Sequence, residues 1–170
     1  MKRKGIPFIK ETLIPEGTLR GFYPGLIQTI KGNFVGLDLS LYKKIEGYSK
    51  TFGLNGLGKV TDGDSRDIGL NGLVKVTVGD SRDIGLNGLF KYTDKNSYGI
   101  EATLIMDYVK NNASGAKISA INRCNSTKDF LINIGLVNKV LEEPDKDTFL
   151  FQIGLYNIVG DSAYPVFKCR

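Results

Sequence analysis

Residues 58–73 read GKVTDGDSRDIGLNGL, and residues 74–89 read VKVTVGDSRDIGLNGL. The two stretches differ only at Gly58/Val74 and Asp62/Val78, and Gly85 follows Gly69 by 16 positions, which sets the length of the repeat unit. A fixed period of this kind is typical of arrays in which each copy is one structural unit stacked on its neighbours.

Degraded copies of the unit continue on both sides when each copy is anchored at the position that Gly69 holds. The anchors are Gly36, Gly53, Gly69, Gly85, Gly99, Gly115, Leu131 and Leu150, with a weaker ninth copy near Gly21. We therefore predict a single domain of residues 1–170, with a leader or cap at 1–17, tandem repeats at 18–160 and a C-terminal tail at 161–170.

Apolar and polar residues alternate within each unit, which is the pattern of a β-strand with one buried face. One side of the strand holds Ile68, Leu70, Gly72, Val74, Val76 and Val78, and the other holds Asp67, Gly69, Asn71, Leu73, Lys75 and Thr77. Since apolar side chains are usually buried, the pattern predicts that Leu70 and Leu86 lie in the core and that Asn71 and Lys75 face solvent.

One cluster of turn-forming residues separates successive strands, such as Gly-Asp-Ser-Arg at 63–66 and 79–82. One turn per unit favours an all-β, up-and-down antiparallel meander of about eight or nine short strands, which can close into a barrel. The alternative is a β-solenoid with 16-residue coils, which needs a second corner inside each unit. Asn-Gly at 55, 71 and 87 suits such a corner, but Leu39-Ser40 and Ala102-Thr103 in the degraded copies do not.

Composition and charge narrow the classes of function. The 23 basic and 18 acidic residues give a net charge of +5 and are interspersed, which disfavours a nucleic-acid binder. Pro7, Lys10 and Glu11 interrupt any apolar core of a signal peptide, so we predict a cytoplasmic protein, with the cell surface or a membrane as the alternative. Cys124 and Cys169 are too few for a disulfide framework and are predicted to be reduced thiols.

The sequence offers little material for catalysis. It contains no histidine, so Ser-His-Asp and Cys-His constellations cannot be built. Gly-Asp-Ser recurs at 63–65, 79–81 and 160–162, which indicates turns rather than a catalytic serine. The carboxylates at 62–67 lack the glycine and glutamate of a calcium loop, and the acidic stretch at 142–147 indicates a solvated loop. We therefore predict no catalytic, cofactor-binding or metal-binding residues, and no cofactor.

The late copies LINIGLVN (131–138) and FQIGLYN (151–157), followed by Gly-Asp and Pro-Val-Phe (165–167), resemble a family of bacterial and archaeal tandem-repeat proteins with G-L-Q-I-G-L-x-N units. Members are sometimes described as surface-repeat proteins. The resemblance covers the repeat region and implies a repeat architecture without implying any catalytic residue.

These observations favour a non-enzymatic structural or interaction module built from tandem β repeats. The runner-up is a surface or membrane-associated β-barrel protein, and a small enzyme built on carboxylates comes third. The partner is left open: another protein and self-association through a sheet edge are the candidates, nucleic acid is disfavoured, and a membrane stays undecided.

Overall fold

The computed structural model describes residues 9–169, where all regular structure is β-strand. Residues 1–8 of the predicted leader and Arg170 of the predicted tail lie outside the described residues. The strands are β1 (Ile9–Ile45), β2 (Ser49–Thr61), β3 (Ser65–Asn71), β4 (Val74–Thr77), β5 (Ser81–Asn87), β6 (Phe90–Thr93), β7 (Ser97–Thr103), β8 (Met106–Ile118), β9 (Ile121–Ile134), β10 (Val137–Val140), β11 (Phe149–Val159) and β12 (Ser162–Cys169).

The chain winds into a β-solenoid of about 8 turns with 16-residue coils. Each of the two middle units supplies two strands that lie on two different faces of the coil, whereas longer strands such as β2 and β8 continue from one face to the other. On the first face β3 pairs with β5 and places Gly69 beside Gly85, while on the second face β4 pairs with β6 and places Lys75 beside Lys91. Both pairings are parallel, so each strand lies against the equivalent strand of the next unit.

The all-β class is therefore confirmed, and the architecture is the solenoid alternative rather than the meander. The meander is wrong because β-strands of successive units pair in parallel, whereas a meander requires antiparallel neighbours. The pairing of β11 with β12 is the exception: it is antiparallel, and it turns the predicted tail into a final strand along the last coil.

Backbone hydrogen bonds between coils explain why the second corner needs no Asn-Gly. Leu73 N donates to Leu57 O at 3.0 Å, Leu89 N to Leu73 O at 2.7 Å, and Ile105 N to Leu89 O at 3.0 Å. The corner is thus held by its equivalents in the adjacent coils, and apolar residues serve there as well as turn formers. We call the residues Leu57, Leu73, Leu89 and Ile105 the leucine corner.

The opposite corner is polar and follows the predicted turn clusters. The chain leaves the strands at 46–48, 62–64, 78–80 and 94–96, and successive turns are bonded to each other. Asp80 N, for example, donates to Asp64 Oδ1 at 2.9 Å, and Asn96 N donates to Asp80 Oδ1 at 3.1 Å. We call these four turns the charged corner.

Register between coils agrees with three of the eight anchors: Gly53, Gly69 and Gly85 stack as predicted. The other five, Gly36, Gly99, Gly115, Leu131 and Leu150, stack two residues earlier, at the position of Asp67 and Asp83. The residues beside Gly53 and Gly85 are instead Asp38 and Glu101. At Gly69 the backbone has φ +139°, and an added Cβ would lie 2.1 Å from Gly53 O, so only glycine fits between the coils there.

Candidate functional site

The predicted buried face is wrong, because the alternating strands turn their polar side inward. Asp67, Asn71 and Lys75 are buried, whereas Leu70 is 45% exposed and Leu86 is 55% exposed. A period of two defines two faces of a strand but does not show which face is buried. The expectation that the more apolar face is buried is wrong here. What overrides hydrophobicity here is pairing among the polar side chains of adjacent coils.

The interior of the middle coils is lined by ionisable side chains that are shielded from water. They are Asp38, Lys43, Lys59, Asp67, Lys75, Asp83, Lys91, Glu101, Asp107 and Lys117. Lysines and carboxylates are equal in number, so the formal charges of this set cancel. An isolated buried charge is costly, and this balance is the first requirement for tolerating so many.

All of this set except Asp107 form one continuous chain of ion pairs along the solenoid axis. Lys59 Nζ lies 2.8 Å from Asp67 Oδ2, and Lys75 Nζ lies 2.9 Å from Asp67 Oδ2 and 2.6 Å from Asp83 Oδ2. In order, the chain runs Lys43, Asp38, Lys59, Asp67, Lys75, Asp83, Lys91, Glu101 and Lys117. We call it the ion-pair chain.

Hydroxyl groups of the same coils complete the environment of the carboxylates. Asp67 accepts hydrogen bonds from Ser49 Oγ at 3.0 Å, from Thr51 Oγ1 at 2.7 Å and from Ser65 Oγ at 2.8 Å. Ser65 Oγ also lies 2.9 Å from Asp83 Oδ1. Because both oxygens of Asp67 have partners, the burial of its charge is compensated by hydrogen bonds as well as by ion pairs.

The ion-pair chain stabilises the charged forms of Asp67 and Lys75 at its centre. Burial alone would raise the pKa of Asp67, but the ammonium groups of Lys59 and Lys75 outweigh it and hold that pKa well below its usual value. Burial would likewise lower the pKa of Lys75, and Asp67 and Asp83 reverse this and raise it. Lys43 stands at the end of the chain, and burial lowers its pKa to about 8 against the opposing effect of Asp38.

Asp107 is the one carboxylate of the interior without a hydrogen-bond partner on either oxygen. Burial raises its pKa, with Lys91 and Lys117 opposing the shift. In the next coils its position is taken by Asn122 and Asn138, and Asn122 Nδ2 donates to Asn138 Oδ1 at 2.8 Å. Asp107 thus lies where the ion-pair chain gives way to a ladder of asparagines.

Apolar residues fill the interior at both ends of the solenoid. Ile30, Phe34 and Ile45 pack together at one end, with Leu19 and Tyr23 against them. At the other end the buried cluster contains Val109, Ala113, Cys124, Leu131, Val140, Leu150 and Val159. The charged interior is therefore bounded by an apolar cluster at one end, and at the other end by an apolar cluster that runs beside the ladder of asparagines.

The serines of the Gly-Asp-Ser motifs and the two cysteines do not come together in one reactive cluster. Ser65 and Ser81 of the Gly-Asp-Ser motifs follow the predicted turns, but their side chains point inward and serve the ion-pair chain. Both cysteines are free thiols, and burial raises the pKa of the Cys124 thiol to about 12. Within residues 9–169, no cluster of three or more Cys, Asp or Glu side chains could hold a metal ion.

The outer side of the first face is an apolar sheet surface, which sequence reasoning had placed inside. Two adjacent columns of side chains run along it, and every member is apolar. The first column is Leu37, Phe52, Ile68, Ile84, Ile100, Ala116, Ile132 and Phe151, and the second is Leu39, Leu54, Leu70, Leu86, Ala102, Ile118, Ile134 and Ile153.

We call these two columns the apolar grid. At the inter-strand spacing of about 4.8 Å, its length is about 34 Å. Most of its side chains are open to solvent, and Phe52 and Ile100 are each 61% exposed. Soluble monomers rarely leave a continuous apolar surface of this extent uncovered, which marks the apolar grid as the candidate functional surface.

Charge is arranged asymmetrically around the apolar grid. Lys50, Arg66 and Arg82 form an exposed column beside it, and the Arg82 guanidinium lies 5.5 Å from the ring centre of Tyr98. Asp129 stands in a bulge of β9 at the far end. Outside the interior, the other carboxylates whose side chains the structure describes lie at the charged corner, in the loop 141–148 or at the last turn, and comprise Glu46, Asp62, Asp64, Asp80, Asp94, Glu142, Glu143, Asp145, Asp147 and Asp161.

A groove lies where the apolar grid meets the leucine corner. It has a volume of 690 Å³, and its walls include Leu73, Leu86, Leu104 and Leu136. The groove forms because Ala102 takes the place that larger residues hold elsewhere in the second column.

Comparison of the chain with models of protein families, with curated proteins and with solved structures finds no match. Residues 9–169 contain no helix of the length and apolar character needed to cross a membrane.

Proposed function

We propose that this protein is a non-enzymatic structural or interaction module that works through its apolar grid. The observation that carries the proposal is the exposure of two unbroken apolar columns on a regular sheet. The resemblance to tandem-repeat proteins agrees with such a role and remains an expectation.

The difference between the side chains on the two faces of each strand supports this proposal. Ionisable and hydroxyl side chains, which could serve chemistry, are buried in contacts with one another. The residues left outside on the first face are mostly aliphatic and aromatic, which suits contact area rather than reaction. A rigid array of parallel coils holds these side chains at fixed spacing, so the surface is organised before any partner arrives.

Site-specific photo-crosslinking in the cells that make the protein tests this role. Benzoylphenylalanine placed at Ile84 in the apolar grid should give covalent adducts, and the same group placed at Lys95 on the charged corner should give few. Adding Ile68→Ser to the Ile84 protein should lower the yield, because it removes neighbouring apolar contact area. Equal yields at the two positions, or none at Ile84, would contradict the proposal.

A further inference from the structure

We propose that the partner of the apolar grid is the surface of an anionic lipid bilayer. This inference rests on the proposed function and adds the chemistry of the partner. It starts from a combination that lies along one side of the solenoid: an exposed apolar surface and a column of cations beside it. That combination is the one by which proteins lie in a membrane interface, with apolar side chains at the acyl boundary and cations among the headgroups.

The distribution of charge selects an anionic partner. Lys50, Arg66 and Arg82 lie between the apolar grid and the charged corner, where Asp64 and Asp80 are the nearest carboxylates outside the interior. On the side that faces the apolar grid, no carboxylate of the described residues lies next to this basic column. Anionic headgroups would supply the missing counter-charges, and they attract each lysine or arginine near the surface.

A second copy of the chain fits less well. Packing two apolar grids against each other would cover the apolar side chains, but it would bring a second basic column to the same interface. On the apolar grid itself neither copy presents a carboxylate to pair with Arg66 or Arg82, and Asp64 and Asp80 lie on the opposite side of the basic column, at the charged corner. Like charges at an interface oppose association, so the geometry favours lipid over self-association.

The groove beside Ala102 adds a feature that suits hydrocarbon. Its lining is almost wholly apolar and includes Leu86, Leu89, Ile118 and Leu136. It is open to the same side as the apolar grid, because Leu86, Ala102 and Ile118 belong to both. A flexible acyl chain can follow such a groove without leaving a polar group unpaired.

Flotation of the full chain with lipid vesicles tests the inference. We expect binding to vesicles of equal parts phosphatidylcholine and phosphatidylglycerol to be at least about tenfold tighter than to phosphatidylcholine alone, and to weaken in high salt. Arg66→Glu with Arg82→Glu should remove most of this preference. Lys95→Glu with Arg123→Glu changes the net charge equally, at the charged corner and on the second face, and should leave binding within about twofold of wild type.

The apolar contribution is tested by Ile68→Ser with Ile84→Ser, which should abolish vesicle binding while the circular dichroism spectrum and melting temperature stay unchanged. Val78→Ser at the charged corner is the matched apolar control and should bind normally. Light scattering on the same proteins reports self-association.

The absence of binding to anionic vesicles overturns the inference. An equal loss of vesicle binding in the two charge-reversal variants also overturns it. A dimer that Ile68→Ser with Ile84→Ser dissociates would also overturn it and identify a second copy as the partner. If vesicle binding fails while the Ile84 crosslinks persist, the interaction module stands and only the lipid is wrong. If both fail, the apolar grid has no binding role.

Discussion

Lys75 shows how a charged residue becomes part of a protein core. Its ammonium group lies between the carboxylates of Asp67 and Asp83 and has no exposure to water. Buried ion pairs are favourable only with good geometry and further hydrogen bonds, and the serine and threonine hydroxyls around Asp67 meet that condition. Removing one member of such a set leaves its partners buried and unpaired.

This environment predicts opposite outcomes for substitutions on the two sides of one strand. Lys75→Glu should lower the free energy of unfolding by about 3–5 kcal/mol or prevent folding, because it places three carboxylates together in the interior. Leu70→Asp should cost less than about 1 kcal/mol, since Leu70 is at the surface. Urea denaturation of the purified variants measures both.

Arg66→Glu is the matched control for Lys75→Glu, because it makes the same change of charge on the outer side. It should leave the denaturation midpoint close to that of wild type. The alternation of the sequence alone implied the reverse order, with Leu70 critical and Lys75 tolerant. Comparable losses for Lys75→Glu and Leu70→Asp would show that neither assignment of the faces is right.

Asp107 offers a substitution that should stabilise the protein. Asp107→Asn removes a buried carboxylate without a hydrogen-bond partner and adds an amide that can donate to Asn122 Oδ1, which also lacks one. We expect a gain of about 1–2 kcal/mol at neutral pH, measured as a higher denaturation midpoint. The exposed Asp147→Asn is the control and should have no effect.

The gain from Asp107→Asn should depend on pH in a defined direction. The folded-state pKa of Asp107 lies above its ordinary value of 3.8, so the folded protein binds a proton before the unfolded chain does. Lowering the pH towards 3.8 therefore stabilises the wild type relative to Asp107→Asn. A difference between the two proteins that stays constant from neutral pH to pH 3.8 would contradict the raised pKa.

At the level of the coil, the sequence predicts the repeat period and the charged corner but not the leucine corner. Near-identity of two units made the repeat length certain, and the Gly-Asp-Ser clusters marked the charged corner correctly. The leucine corner was missed because it depends on hydrogen bonds between coils, such as Leu89 N to Leu73 O, which no single unit reveals. Local turn propensity therefore predicts one straight strand per unit, whereas each unit forms two segments on different faces of the coil.

Deleting one unit tests the independence of the coils. Removing residues 69–84 joins Ile68 to Gly85, so that Asp67 takes the place of Asp83 beside Lys91. The deletion removes one lysine and one carboxylate, Lys75 and Asp83, from the interior, which therefore stays balanced. We expect the shortened protein to unfold in a single cooperative transition with a modest loss of stability, measured by thermal denaturation.

Deleting half a unit, residues 69–76, is the matched control. It removes Lys75 while keeping Asp83, and it shifts the corners of all later coils by half a turn relative to the earlier ones. This variant should lose cooperative unfolding. If both deletions behave alike, the coils do not stack in the register described.

At the scale of the whole molecule, the interior changes character along the axis while the outer surface does not. Ile45 and Val109 take the position that Thr77 holds in the middle, so the same place is apolar at the ends and polar at the centre. The all-β class follows directly from the alternation in the sequence, because alternation is a local property. The inward face does not, because it depends on how charges in different coils meet.

Recurrence of charge in the sequence does not by itself identify the interior. Lys59, Lys75 and Lys91 recur at the repeat period, and Asp67 precedes Lys75 by eight residues. The exposed Arg66 and Arg82 recur at the same period, however, so a fixed phase is shared by inner and outer charges. The two sets differ in their contacts between coils, which a single unit does not show.

The balance of charge within each coil bears on how the array grows. A duplication of the gene segment that encodes one unit, such as residues 74–89, inserts a complete turn that carries its own lysine and its own aspartate. The new turn brings no net charge inside, and its outer side chains extend the existing columns. Unequal recombination between units would therefore yield folded descendants of different lengths, and the near-identical pair at 58–89 has the form of a recent event of this kind.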